Sequence, residues 1–261
     1  MPVKISVITA SLDSAAVITS ALQSVIAQTY GCVEHIVVDG ASTDNTVDVV
    51  ESFRQRYGLR GYSLKVISGP DSGIYEAMNR GIEAATGDII GILNSDDFFS
   101  STEELSAVAA AYARQPAIEA VYADVDYVRP GHEHRIVRRY PSKGFRPWMM
   151  LLGMQPPHPS FYCRREVYER FGKYDSRYRI AGDFDFFVRC LYKGRIATLR
   201  LDRTMVTMRT GGTSDRSILS HLQGLWEHQL TYMRHRMPTC ILADSIQLIH
   251  KIMHLKPFAR P

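Results

Sequence analysis

The chain has 261 residues, 45% of them apolar and 22% charged, which suits one large folded domain or two small ones and excludes disordered, collagen-like and coiled-coil classes. Its formal charge of +4 hides an asymmetry: residues 1–115 hold 7 Lys/Arg against 14 Asp/Glu, a balance of −7, while residues 116–261 carry +11. An acidic half beside a basic half suits a protein that handles an anion through a metal on one side and meets an anionic partner or surface on the other.

Short β-rich runs alternate with helical stretches over the first hundred residues, the pattern of a parallel sheet covered by helices. The first strand is Val3–Thr9, followed by a helix capped by Asp13 and running to Gln28, with Ile18, Leu22 and Val25 on one face. The second strand is Glu34–Val38 and leads into a helix from about Thr43 to Tyr57. The third, Leu64–Ile67, leads into Ile74–Ala85, and the fourth is Asp88–Leu93. Gly58 and Gly87 stand where left-handed helix caps are expected. Another helix opens near Thr102. Beyond Gln115-Pro116, strands Ile118–Val128 and Arg135–Tyr140 are joined by a turn at Pro130-Gly131. Residues 145–153 and 164–171 read as helical, and Asp183–Tyr192 as a short helix. Gly211-Gly212 breaks the chain before two helices, 215–236 and 238–254, separated at Pro238.

Cys32, Cys163, Cys190 and Cys240 are scattered, with no C-x-x-C pair and no histidines at zinc spacing, which points to a reduced, cytoplasmic setting. The first residues lack the sections of a signal peptide. The uncharged stretch from Ser14 to Val33 is interrupted by Thr19, Ser20, Gln23, Ser24 and Gln28, too polar to span a membrane.

Polar residues gather where strands end: Thr9 and Ser11 at the first, Asp39 at the second, Asp71 at the third, Asn94-Ser95-Asp96-Asp97 at the fourth. In an open parallel sheet these ends share one rim, where ligands bind at the reversal of strand order. Adjacent carboxylates such as Asp96 and Asp97 are costly to hold together without a cation, and hard oxygen ligands suit Mg2+ or Mn2+. The plainer alternative is a helix cap for the segment near Thr102. Asp44 reads as a cap, and Gly69-Pro70-Asp71-Ser72-Gly73 on composition alone reads as a turn.

The chain resembles family 2 glycosyltransferases of the GT-A fold, similar to bacterial polysaccharide and glycolipid transferases of the colanic acid type. The likeness rests on Ile5-Ser-Val-Ile-Thr9-Ala-Ser, Ser24 to Tyr30, Glu34 to Thr46, Asp71-Ser-Gly-Ile-Tyr75-Glu-Ala-Met-Asn79-Arg-Gly81, Gly87-Asp and Leu93-Asn-Ser-Asp96-Asp97. It continues more loosely through His158-Pro-Ser-Phe161 and Tyr178 to Arg189. It implies an inverting α/β enzyme with a mostly parallel central sheet, helices on both faces, and C-terminal helices. By the same resemblance, residues 1–115 form the nucleotide-sugar-binding half, 116–214 the acceptor and catalytic-base half, and 215–261 a helical extension.

The resemblance also implies roles. Thr9, Ala10, Ser11, Asp39, Asp71, Asn79, Ser95 and Asp96 would hold a nucleotide, UDP first among them, and Asp97 with Asp96 the metal. Asp183 stands at the catalytic base, with Gly182 in place of the usual Glu, and Asp185 is its rival. An N-cap is the plainer reading of Asp183. Many relatives place a metal-binding His after the base, but Met205 to Gly212 contains none. Arg209, Arg177, Arg179 and His158 are candidates for diphosphate or acceptor, and His221 for a further ligand. The expected acceptor is a lipid-linked glycan, polysaccharide or glycolipid at the inner face of the cell membrane, with no nucleic-acid partner.

Residues 238–255 carry a polar stripe on an otherwise apolar helix, which suits peripheral membrane contact, a homodimer seam or docking on the protein itself. Two other readings remain: a non-catalytic nucleotide-sugar binding or scaffold protein, and a sugar-nucleotide pyrophosphorylase. The latter needs a basic Gly-rich loop where Thr9-Ala-Ser-Leu-Asp13 stands.

Overall fold

The computed structural model describes residues 2–211 and 218–238. Strands β1 (Ile5–Ser11), β2 (Val33–Asp39), β3 (Ser63–Ser68) and β4 (Ile89–Ile92) alternate with helices α1 (Ile18–Ile26), α2 (Thr46–Ser52), α3 (Arg54–Leu59) and α4 (Ile74–Ala84). There follow β5 (Phe98–Phe99), α5 (Glu104–Arg114), the hairpin β6 (Ala120–Arg129) and β7 (His132–Tyr140), β8 (Tyr162–Arg164), α6 (Arg165–Phe171), α7 (Gly182–Phe187), β9 (Thr198–Arg209) and α8 (Ile218–Arg234). Single 3-10 turns occupy Pro147–Leu152 and His158–Ser160, and α7 widens into a π-helical turn over Val188–Lys193.

The strands form one sheet in the order β3-β2-β1-β4-β8-β6-β9-β5, with β7 paired to β6. β1 pairs in parallel with both β2 and β4, and β2 with β3. The expected parallel sheet therefore occupies the first half of the chain. In the second half β8 pairs antiparallel with β4 and β6, while β6 and β9 run parallel. The strand order reverses at β1, so the loops after β1 and β4 border the crevice where ligands enter such sheets.

β1 and β2 are buried along their whole length, as strands covered on both faces must be. One face packs Ile8, Ala10, Ile36 and Ile90 under Tyr75, Met78 and Ile82 of α4 and the aromatics of α7. The other packs Ile5, Val7, Val37 and Ile89 under Ile18, Leu22 and Val25 of α1, and under α3 and α5. Gly81 sets the approach of α4: a Cβ there would lie 2.4 Å from Ile8 Cγ2.

Several expectations are corrected. Asp13 does not cap α1, which begins at Ile18; Asp13 has φ 45° and its Oδ1 accepts from Thr43 N at 2.8 Å, binding the loops after β1 and β2 together. The helix expected from Thr43 to Tyr57 divides at Phe53 into α2 and α3, and Gly58 lies inside α3. Gly87 has no positive φ; it is small because a Cβ would meet Ser6 Oγ at 2.4 Å. β5, β8 and β9 are strands that hydrophobic patterning left unassigned, and residues 239–261, including the stripe proposed over 238–255, lie outside the described residues apart from Pro238.

Candidate active site

The loops after β1, β2, β3 and β4 converge by direct bonds. Ser14 and Ser95 join the first and last through their hydroxyls at 3.0 Å, and Asp44 Oδ2 accepts from Ala15 N at 3.0 Å. Asp39, 1% exposed, ends β2 and accepts from Ser42 N at 3.0 Å, from Ser42 Oγ and from Ser68 Oγ at 2.8 Å. Asp71 accepts from Gly73 N at 3.0 Å and leans over Gly40, where a Cβ would sit 2.7 Å from its Oδ2. Burial raises the Asp71 pKa and the Glu76 and Asp39 charges add to the rise, while the Gly73 N–H and Arg80 oppose it.

Asp97 is fully buried at the end of the β4 loop. Its Oδ2 accepts from Asn94 Nδ2 at 3.1 Å, but its Oδ1 and Asn94 Oδ1 are buried with no hydrogen-bond partner. Burial pushes the Asp97 carboxyl well above the carboxylate range, Asp96 adds to this, and Asn94 and Arg209 oppose it. Arg209, at the end of β9, donates to the Asp96 carbonyl at 2.7 Å, to Ser20 Oγ at 2.8 Å and to Glu133 Oε1 at 3.0 Å. These bonds tie the acidic loop to α1 and β7. Two orphaned buried oxygens beside a second carboxylate match the donor preference of a hard divalent cation. No group of three His, Cys, Asp or Glu side chains able to hold a metal occurs among the described residues, so substrate oxygens and water would have to complete the shell.

Asp183 is the second residue of α7. Its Oδ2 accepts from Gln155 Nε2 at 2.7 Å, and its Oδ1 lies 3.3 Å from the Tyr75 hydroxyl. Tyr75 has one proton, and the Ile180 carbonyl at 2.6 Å is the nearer acceptor. Gln155 is itself held by Tyr140, whose hydroxyl donates to its backbone carbonyl at 3.0 Å. From α8, buried Glu227 accepts the backbone N–H groups of Arg179, Ile180 and Ala181 at 3.0, 2.9 and 2.8 Å, fixing the turn that leads into Asp183.

The other expected site residues make the following contacts. Thr9 is fully buried; its hydroxyl donates to the Leu93 carbonyl at 2.7 Å and sits 2.9 Å from His35 Nε2, joining strands. Ala10 belongs to the core, and Ser11 Oγ donates to the Val38 carbonyl at 3.4 Å. Asn79 spends both ends of its amide on the Tyr174 backbone at 2.8 and 2.9 Å. Asp185, the rival base, is 4% exposed and bonded to Arg189 at 2.9 Å and His235 at 2.8 Å. Those two partners hold its pKa down although burial alone would raise it. Arg177 forms an exposed pair with Asp175 at 2.7 Å. Arg179 is exposed, and it is its backbone that Glu227 binds. His158 Nε2 lies 2.8 Å from the Tyr174 hydroxyl, and burial lowers its pKa. The His221 side chain lies outside the described part.

Gln155, Tyr75, Tyr140 and Glu227 were missed because each acts through a contact distant in sequence. Glu227 alone left a trace, as the one acidic residue between Asp215 and Asp244.

Residues 6–172 match the family described as Glycosyl transferase family 2. The chain is 34% identical over 200 residues to a PGL/p-HBAD biosynthesis glycosyltransferase of Mycobacterium tuberculosis, covering 74% of this chain and 72% of that one. It is 31% identical over 202 residues to an uncharacterized glycosyltransferase of the same species, covering 75% and 72%. Among solved structures, S. aureus TarS 1–349 in complex with UDP-GlcNAc superposes with a TM-score of 0.71 at 20% identity, over 88% of this chain and 66% of that one. The present chain thus spans just under two thirds of that TarS structure. Mannosyltransferase PcManGT from Pyrobaculum calidifontis, in complex with GDP-Man and Mn2+, gives 0.62 at 16% identity, over 98% and 82%. At these identities the two structures speak for the fold.

Proposed function

The chain belongs to glycosyl transferase family 2, and from that premise we propose that it transfers a single sugar, with inversion, from a nucleotide-diphosphate donor to a hydroxyl of a lipid-linked glycan, polysaccharide or glycolipid. The observation that carries this is the state of Asp183. One carboxylate oxygen is oriented by Gln155 at 2.7 Å, and the other faces a tyrosine oxygen whose proton is directed to Ile180. Oδ1 is the basic atom left for an acceptor.

In this reading Asp183 takes the proton from the acceptor hydroxyl as the oxygen attacks the anomeric carbon from the face opposite the departing diphosphate, so one displacement inverts the centre. A positioned base of this kind contributes roughly 10²–10⁴-fold. Gln155 and the Glu227 clamp keep the carboxylate aimed without protonating it. Asp71, poised over Gly40, meets the nucleoside; Asp39 anchors the loop beneath it; Ser95 and Asp96 line the sugar and ribose side. UDP-GlcNAc and GDP-Man in the two structural neighbours support a nucleotide-sugar donor.

Mg2+ or Mn2+ would be held by Asp97, with Asp96 beside it, where the orphaned oxygens lie. When bound, such an ion neutralises charge on the leaving diphosphate. We place the activity in the cytoplasm, at the inner membrane face; free Cys32, Cys163 and Cys190 and the basic second half favour this. No helix of the described residues is long and apolar enough to cross a membrane.

A thermal-shift panel of UDP, GDP, dTDP and CMP, each with and without Mn2+, tests the proposal. One nucleoside diphosphate should raise the melting temperature, and more so with Mn2+. No response to any nucleotide would contradict it.

A further inference from the structure

The Arg138 side chain makes no hydrogen bond or ion pair among the described residues, and its Nε is buried without a partner. Its neighbours differ: Arg139 pairs with Asp126 at 3.3 Å, Arg200 with Asp124 at 3.1 Å and Arg209 with Glu133 at 3.0 Å. Arg138 is nonetheless fixed, its guanidinium carbon 3.8 Å from the centroid of the Tyr127 ring, its cross-strand partner. Stacking engages the flat face of the guanidinium and leaves its in-plane N–H fork unspent. A guanidinium whose Nε is buried without a partner carries a desolvation cost that a ligand accepting from it would relieve.

Its surroundings indicate which ligand. Tyr140 lies two residues along β7 and so on the same face; its hydroxyl holds Gln155, and Gln155 holds Asp183. The Arg138 and Asp183 charges both reach the buried Tyr140 hydroxyl and act on it in opposite directions. Across the sheet, Tyr127 pairs with Met208 of β9, next to the Arg209 that holds the Asp96 carbonyl. At about 4.8 Å per strand, the Arg138 backbone stands roughly 10 Å from that of Met208. Arg138 thus shares a face with the Tyr140 that leads to the base, and stands two strands from the end of β9 whose Arg209 holds the acidic loop.

We propose that Arg138 forms an oxyanion site that takes a phosphate group of a substrate, either the donor diphosphate or a phosphate carried by the acceptor. The inference deepens the transferase reading and rests on Asp183 facing the acceptor. Two parallel N–H···O bonds from one guanidinium suit a phosphate.

The test is calorimetric titration of inorganic phosphate into the full chain and into Arg138→Met and Arg138→Lys, alone and saturated with UDP and Mn2+, with melting temperatures recorded for each. The wild type should bind phosphate; Met should weaken it by about tenfold to a hundredfold, and Lys, which keeps the charge but loses the fork, by less. Phosphate binding that persists beside UDP identifies the acceptor group as the ligand. Displacement by UDP, together with weaker UDP binding to the Met variant, identifies the donor diphosphate. Absence of phosphate binding by the wild type, or equal affinity in an Arg138→Met protein that melts normally, overturns the proposal. Failure of the transferase reading appears separately, as a chain that binds no nucleotide.

Discussion

Replacing Asp183 by Asn removes a proton acceptor while leaving shape and hydrogen bonding nearly intact. The Asn oxygen can keep the Gln155 bond, now 2.7 Å. The new Nδ2 takes the place of Oδ1, 3.3 Å from the Tyr75 oxygen, which is free to accept because its proton goes to Ile180. Folding stability should therefore change by no more than about 1 kcal/mol, a shift of a few degrees in Tm. Loss of the base should slow transfer by about 10²–10⁴-fold, or roughly 3–5 kcal/mol of activation free energy at about 1.4 kcal/mol per decade. The assay follows label from sugar donors carrying the nucleotide selected in the panel into a solvent-extractable lipid fraction, alongside the affinity of each protein for that nucleotide. Transfer falling while affinity for that nucleotide stays within about twofold is the expected outcome; transfer within threefold of wild type would refute the assignment.

Two further perturbations probe the scaffold around the site. Glu227→Gln turns an amide N–H2 toward backbone donors from residues 179–181, so chemical denaturation should register a loss of about 1–3 kcal/mol; an unchanged midpoint would mean that α8 does not hold the turn. His35 is fully buried and its pKa is lowered by burial to about 3. Below about pH 6.5 the unfolded chain binds a proton that the folded chain refuses. Stability should therefore be complete above that pH and fall as pH drops from about 6.5 toward 3, with a shallower decline in His35→Gln, and an equal loss of unfolding free energy between pH 7 and 5 in the two proteins, read from urea midpoints, would contradict this.

The first half of the fold was legible because buried parallel strands are continuous apolar runs and their helices repeat at 3.6 residues, as β1, β2, α1 and α4 do. β9 escaped notice since its residues 198–209 mix Arg, Asp and Thr with apolar positions and carry no clean alternation; what makes them a strand is long-range pairing with β6. β5 and β8, of two and three residues, are too short to carry a period. Motif order pointed to the acidic loop and to Asp183, but it could not separate residues that face a cleft from those that build it. Asn79 lies in a motif and serves the Tyr174 backbone, whereas Gln155 lies in none and touches Asp183. A hydrogen bond between residues 28 positions apart leaves no mark on either local sequence.

The most direct test of the account is a crystal structure of the chain grown with UDP and Mn2+, with the cation located by anomalous scattering. Manganese should appear against the Asp97 carboxylate and the UDP phosphates, with the Asp183 carboxylate opening onto the same cleft. Manganese bound away from Asp97, or Asp183 facing a region that the nucleotide does not border, would contradict it.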